Sequence, residues 1–328
     1  MSRASILFPV LIALFGCSSS QSVLNAQGQS AILLKDLILW IVAICAAVWI
    51  AVMVALIWPL VRRRQGVDAE VLDRRMRLAV SGAVALTVCI ITGMTIMSFY
   101  ATRGLDQAQD ADLTVHVRAQ QWWWQFIYVN PDQAPSFQTA NELHIPVGKN
   151  VRVRLESTDV IHSFWVPSLA GKQDLIPGRM NTLVFRAERP GVYRGQCAEF
   201  CGLQHSHMAF FVIAEDEESY LEWADAQRKA GLEPQDPDAV AGKAVFMTRQ
   251  CAACHTIRGT EASGTTGPDL THIGSRRTIA AGLLENTRGS ISAWIADPQT
   301  LKPGNNMPLV ALSGDELRQL SAYMESLK

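Results

Sequence analysis

The hydrophobic pattern changes period several times along the chain. Ile6 to Phe15 is an apolar run of about ten residues behind one early arginine, too short to span a bilayer and suited to a signal-peptide core. Two longer stretches, Leu37 to Val61 and Leu78 to Tyr100, carry no charge. The first is 25 residues, which as a helix is about 37 Å against a hydrocarbon core of about 30 Å. The second has serines and threonines able to bond back to their own helix. From residue 113 the period becomes two: "LTVHV" and "VRVRLES" alternate, and a Pro-Gly turn in "ERPGVY" separates "NTLVFRA" from "VYRGQC". That text predicts an antiparallel β-sandwich or barrel over 113–214. Helical spacing returns afterwards, with "EDEESYLEWADAQRKAG" as an amphipathic helix and "LEPQDPD" as a proline-broken linker. Val240, Ala244 and Met247 recur on one face, and a last helix opens at Ser313 and repeats Leu317, Leu320, Met324 and Leu327. No internal repeat is evident.

Charge gives these pieces a direction. "RRRQGVDAEVLDRRMR" puts six arginines between the two spans, so the loop is cytoplasmic and everything beyond residue 100 lies on the other side. A buried core hairpin is the alternative, and such length without charge counts against it. With 29 basic and 30 acidic residues and a net charge of −1, bulk charge points to no nucleic-acid partner. Residues 215–238 hold nine acidic and two basic residues, a solvated linker or a dock for a basic protein. The early apolar run ends in Leu14-Phe15-Gly16-Cys17, which resembles a bacterial lipoprotein cleavage box. The resemblance implies lipidation of Cys17; an ordinary signal with an incidental cysteine is the alternative. The expected divisions are 1–16 signal, 17–103 membrane hairpin, 113–214 β domain, 215–237 acidic helix and linker, and 238–328 C-terminal domain.

"CAACH", Cys251 to His255, is the c-type haem attachment pattern: two thiols add to the vinyl groups and the adjacent histidine meets the iron. Met307 in "KPGNNMPLV" is the candidate second axial ligand, since a thioether raises the potential and Pro308 stiffens its loop. His272 competes with it. A redox-active or zinc-binding pair is the bland reading of the two cysteines. Residues 238–328 resemble a small monohaem cytochrome c.

"QCAEFCGLQHSHM" raises a second question. Cys197 and Cys201, then His205 and Met208, form a disulfide, a copper chaperone motif or a copper centre; thiolate, imidazole and thioether together suit copper. Of seven cysteines, Cys17 goes to lipid, Cys45 and Cys89 to the spans and two to haem, which leaves no disulfide framework. A chaperone would sit on a thioredoxin-like fold, and the β-rich text offers none. "DVIHSFWVPS" supplies His162 as a second imidazole.

Together "DVIHSFWVPS", "DLIPGR" and "QCAEFCGLQHSHM" resemble subunit II of cytochrome c oxidase. The resemblance implies a multi-domain chain: a two-helix transmembrane hairpin, an all-β cupredoxin-like sandwich and an all-α cytochrome c domain. It implies a dinuclear copper site, CuA, with Cys197 and Cys201 bridging, His162 and Met208 on one copper, and His205 and the Glu199 carbonyl on the other. His207 is then a solvated or supporting residue. The Glu199 carboxylate is implied to bind magnesium at the boundary with the catalytic subunit, with Asp174 behind it. Trp122 in "AQQWWWQFIY" is implied to pass electrons; core packing is the alternative, stronger still for Trp123 and Trp124. The fused haem segment points to the caa type of bacterial oxidase, an enzyme subunit of the cell membrane with its C-terminal domains periplasmic. Its implied partners are subunit I, where oxygen is reduced and protons pumped, subunit III, and a donor cytochrome c. Glu70 aligns only approximately with the family's proton-path glutamate. A subunit of a nitric oxide reductase and a free-standing membrane carrier remain open.

Overall fold

The computed structural model describes residues 21–61, 68–103, 110–130 and 132–328. The signal-type run, Cys17 and Arg62 to Arg64 lie outside the described residues.

One compact unit, residues 32–108, is built on helices α1 (Gln29–Val61) and α2 (Ala69–Arg103). Both are long and apolar enough to cross a membrane by length and composition. Each outruns its charge-free core, because Lys35 and Asp36 ride in the first turns of α1 and the arginines 74, 75 and 77 in the first turns of α2. Thr87, Thr95 and Thr102 return their hydroxyls to Ala83, Ile91 and Ser98 carbonyls at 2.8–2.9 Å, so their polar groups are satisfied inside the helix. Glu70 sits exposed in the first turn of α2.

The other unit contains everything from residue 109 onward. Its first half is a ten-stranded sandwich: β1 (Leu113–Gln120), β2 (Trp123–Val129), β3 (Pro135–Ala140), β4 (Glu142–Pro146), β5 (Val151–Ser157), β6 (His162–Trp165), β7 (Gln173–Leu175), β8 (Asn181–Phe185), β9 (Gly191–Cys197) and β10 (Ala209–Glu215). One sheet runs β3-β2-β1-β5-β8, the other β4-β10-β9-β6-β7. Strict alternation of buried and half-buried positions along β1, β2 and β5 puts Val115, Val117, Trp124, Phe126, Val153 and Leu155 inside. The expectation of an antiparallel sandwich needs one correction: β1 pairs β5 and β4 pairs β10 in parallel. Alternation reports which face a side chain takes, and it is blind to strand direction. Parallel neighbours need crossovers, and here the chain changes sheets between them.

Acidic α3 (Glu217–Arg228) starts at the Asp216 cap, whose carboxylate accepts from the Ser219 N–H. It is more than a solvated linker. Tyr220 and Ala224 are buried, and Trp223 stacks on His144 at 3.9 Å with 7° between the rings.

The C-terminal part packs α4 (Pro237–Thr248) against α7 (Gly314–Ser326), with α5 (Arg288–Ala296), α6 (Pro298–Leu301) and a short ribbon, Thr278–Ile279 with Leu284–Glu285. Ser313 caps α7 in a box with Glu316, and Leu320, Met324 and Leu327 are buried, as the spacing predicts. In α4 the buried face is Ala239, Gly242, Val245 and Phe246, while Val240 and Ala244 are exposed, a correction of one position. Gly242 explains the offset. A Cβ there would come within 2.1 Å of the Gln319 carbonyl, so the centre of the contact is a residue with no side chain, and hydrophobicity cannot mark it.

Candidate functional site

Two strand ends and one loop make the first site. The β6–β9 register places Phe164 opposite Cys197, bringing His162, at the start of β6, beside the end of β9. The Cys197 N–H donates to the Met208 carbonyl at 3.0 Å, closing the 198–207 loop on itself. Inside, Cys197 Sγ lies 3.8 Å from Cys201 Sγ and 3.8 Å from His162 Nδ1. Cys201 Sγ lies 3.6 Å from His205 Nδ1 and 3.8 Å from Met208 Sδ. The Glu199 carbonyl is 3.2 Å from Cys197 Sγ. His162, Cys197, Cys201 and Met208 are buried, and His205 sits at the rim.

Both cysteines are free, and 3.8 Å is far beyond a disulfide bond of about 2.05 Å. The pair behaves as one acid. Sharing a hydrogen bond with Cys201 holds the Cys197 thiol down to about 4 and drives Cys201 up. A negatively charged sulfur is thus available inside a buried pocket, where a cation can stand in for the shared proton. Two sulfurs, two imidazoles, a thioether and a carbonyl are the soft donor set that fits copper.

Asp159, which the sequence reading passed over, holds this site from behind. Its carboxylate accepts from His162 Nε2 at 2.9 Å and from the Gln121 backbone N–H at 2.6 Å. With its proton on Nε2, His162 presents Nδ1 to the sulfurs. Burial opposes charge on His162, and the Asp159 and Cys197 partners outweigh it and raise its pKa. The signal in the sequence was a carboxylate three residues before His162. His207 is exposed and pairs with Gln204 Oε1 at 2.9 Å, away from the sulfurs. Glu199 Oε2 and Asp174 Oδ1 converge on the Lys172 ammonium at 3.3 and 3.7 Å. Glu199, expected to meet magnesium, and Asp174 behind it therefore share a lysine counter-ion, and Asp174 Oδ1 has no hydrogen-bond partner among the described residues.

Trp122 is buried in the sandwich core beside the copper loop. Its indole Nε1 donates to the Cys201 carbonyl at 2.9 Å, joined there by Gln121 Nε2 at 2.8 Å. Trp124 is fully buried, so core packing describes it well; Trp123 is half-buried.

In the C-terminal part, Cys251 and Cys254 flank a single helical turn ahead of His255. The Pro268 carbonyl accepts from His255 Nδ1 at 2.8 Å, which leaves Nε2 free to bind a metal. Burial pushes His255 below its usual range, favouring the neutral form a ligand needs. At Gly267 a Cβ would meet His255 Cε1 at 2.5 Å, so only glycine lets the backbone pass behind the ring. These features fit a covalent haem. Met307 is half-buried against the C-terminal core, its loop held by Gln299 Nε2 at 2.9 Å from the Met307 carbonyl. His272 has both ring nitrogens 3.2 Å from carbonyls, those of Lys328 and Lys229.

Lys302, five residues before Met307, is only 2% exposed. Its Nζ donates to the carbonyls of Trp122, His207 and Ala280 at 2.9, 2.8 and 3.0 Å. Burial lowers its pKa to about 7, yet three accepting carbonyls match the three N–H bonds of the charged ammonium, the state this cradle is shaped for.

Such a sandwich and loop define a copper-binding domain of the cupredoxin type, carried on a chain with a C-terminal cytochrome c region. The model of the cytochrome c oxidase subunit II periplasmic domain matches residues 128–215, and that of cytochrome c matches 239–328. Cytochrome c oxidase subunit 2 of Alkalihalophilus pseudofirmus is 40% identical over 247 residues, covering 75% of this chain and 69% of that one. The Bacillus subtilis protein of the same name is 33% identical, covering 68% and 64%. Among solved structures, the periplasmic domain of subunit II of cytochrome oxidase of Bradyrhizobium japonicum is similar at 31% identity and a TM-score of 0.35, over 37% of this chain and 97% of that one. The chain belongs to the cytochrome c oxidase subunit II family, whose members are components of haem-copper oxidase complexes. Its two matched domains bind copper and haem c in general.

Proposed function

We propose that this chain is the electron-entry subunit of a terminal haem-copper oxidase, receiving electrons from a cytochrome c and delivering them to a catalytic subunit I that reduces oxygen to water and pumps protons. The carrying observation is the chain of donors, buried His162, Cys197, Cys201 and Met208 with His205 at the rim, in steps of 3.6–3.8 Å, on the same polypeptide as "CAACH". Bound there, a copper pair in the CuA form would supply a one-electron centre shared over two metals, and haem c a one-electron centre on a single iron.

The residues divide the work. Cys197 and Cys201 would hold the copper pair through their thiolates, with His162, Met208, His205 and the Glu199 carbonyl as its remaining ligands. Asp159 orients His162. The buried wall of Trp124, Phe164 and Phe210 excludes water, so the donors need not reorganise a hydration shell. Cys251 and Cys254 would hold the haem covalently, with His255 and Met307 serving its iron, and Trp122 would lie on the path between the sites. Exposed Phe200 and Leu203, 77% and 70% accessible on the copper loop, offer an apolar face for subunit I. Magnesium at that boundary would take Glu199 and displace Lys172.

The same reading makes α1 and α2 a multi-pass anchor with the sandwich and cytochrome domain outside the cytoplasm, Cys17 lipidated, and subunit III a neighbour. The divisions at 17–103, 113–214, 215–237 and 238–328 are its domains.

Metal analysis with a visible and near-infrared spectrum of the full chain tests the proposal. One iron and two coppers per chain are expected; one copper or none would remove the dinuclear site. Oxygen consumption by the purified complex separates an oxidase from a nitric oxide reductase, and isolation without partners would point to a free-standing carrier.

A further inference from the structure

The loop carrying Met307 does not hang free beside the copper domain. Lys302 sinks between the two halves and is almost inaccessible, with its three N–H bonds all taken by backbone carbonyls. Two of those carbonyls, of Trp122 and His207, belong to the copper domain, and one, of Ala280, to the cytochrome domain. The neighbours of Lys302 reinforce the joint: Gln204 Nε2 donates to the Pro303 carbonyl at 2.8 Å, and Asn306 Nδ2 to the Gln121 carbonyl at 3.4 Å. Gly304 passes close to the Trp122 ring, where a Cβ would lie 3.6 Å from the indole.

A buried ammonium is costly unless it is fully hydrogen-bonded. This one is fully bonded only while both halves are in place, because neither half alone supplies all three acceptors. A surface salt bridge would offer little such discrimination.

We propose that Lys302 is a positioning residue for electron transfer, fixing the Met307 loop against Trp122 and the 201–208 loop so that the distance between the two cofactor sites is set by docking and not by a flexible tether. The inference rests on the function proposed above, since it needs haem at Met307 and copper beside Cys201. It adds that the route is held rigid by a joint centred on Lys302, whose ammonium bonds to no residue proposed as a cofactor ligand.

The test is Lys302→Met in the full chain, similar in length and apolar, with hydrogen exchange and stopped-flow kinetics side by side. Amide exchange should rise in peptides spanning 201–208 and 299–307 together. Iron and copper content, both spectra and both potentials should stay at parental values. Reduction of the haem by external cytochrome c should keep its parental rate, while the haem-to-copper step slows about tenfold or more as the docked population falls. A folded, fully metallated variant with parental exchange and a parental haem-to-copper rate would overturn the proposal, for Lys302 would then be packing alone.

Should that variant fail to fold, the parent decides. The two peptides should open with one common exchange rate, and independent opening would refute a shared joint. Loss of the copper pair in the parent itself would instead undo the functional reading, while leaving coupled exchange of the two loops intact.

Discussion

The indole nitrogen of Trp122 donates to the backbone carbonyl of Cys201 over 2.9 Å, so an aromatic ring of one loop is bonded directly to the residue that contributes a sulfur to the candidate copper site. The same tryptophan gives its own carbonyl to Lys302. At 8% exposure it is buried in the sandwich core.

Replacing Trp122 by phenylalanine keeps an aromatic ring and removes the donor. The cost in stability should be about 1 kcal/mol, read as a shifted urea midpoint, with copper retained. Transfer into the copper site should slow, while direct chemical reduction of the copper keeps its rate.

Asp159→Asn should leave the sandwich folded and weaken copper binding. An amide that no longer pulls the His162 proton onto Nε2 lets the ring turn or change tautomer. Supporting partners of this kind are worth about 10–100-fold in metal affinity, measurable by competitive copper titration. Unchanged affinity would show that Asp159 serves only the Gln121 turn.

On the proposed ligation, Met307→Ala should leave haem covalently attached through Cys251 and Cys254 and lower its potential, because a thioether ligand raises it. His272→Gln should leave the potential unchanged, since both ring nitrogens already face carbonyls. A redox titration of the two variants distinguishes the candidates.

His144 makes stability depend on pH. Burial works against its charge, but the carboxylates of Glu142, at 3.9 Å, and Glu215, hydrogen-bonded at 2.9 Å, outweigh burial and raise its pKa. A raised folded pKa means the contribution is fully present below about 6.5, the unfolded value, and is lost as pH rises through the folded value. The thermal midpoint of the parent should therefore fall across that interval more steeply than that of His144→Gln. Parallel curves would mean the imidazole is neutral throughout and only stacks on Trp223.

Gly242→Ala should destabilise the cytochrome half, because the new methyl would stand 2.1 Å from the Gln319 carbonyl. Overpacking of this kind costs about 1–3 kcal/mol. Denaturation followed at the haem band should report the loss, with the copper spectrum unmoved.

Much of this protein was legible from one dimension. Charge-free runs, alternation over 113–214, the Ser313 cap and the C-x-x-C-H spacing each follow from local rules, since the period of burial and the chemistry of adjacent residues are written in adjacent letters. The cysteine-rich loop was legible for the same reason: Cys197, Glu199, Cys201, His205 and Met208 fall within twelve positions.

What tertiary structure alone decided are relations between distant residues with no pattern of their own. The parallel pairings β1–β5 and β4–β10 were hidden because alternation has no direction, and the α4 face was hidden because its central residue is a glycine. Nothing in the sequence around Lys302 marks it, yet the fold sets it against carbonyls 180, 95 and 22 positions away. Backbone acceptors are chemically alike at every position, so only folding can say which of them a buried ammonium will find.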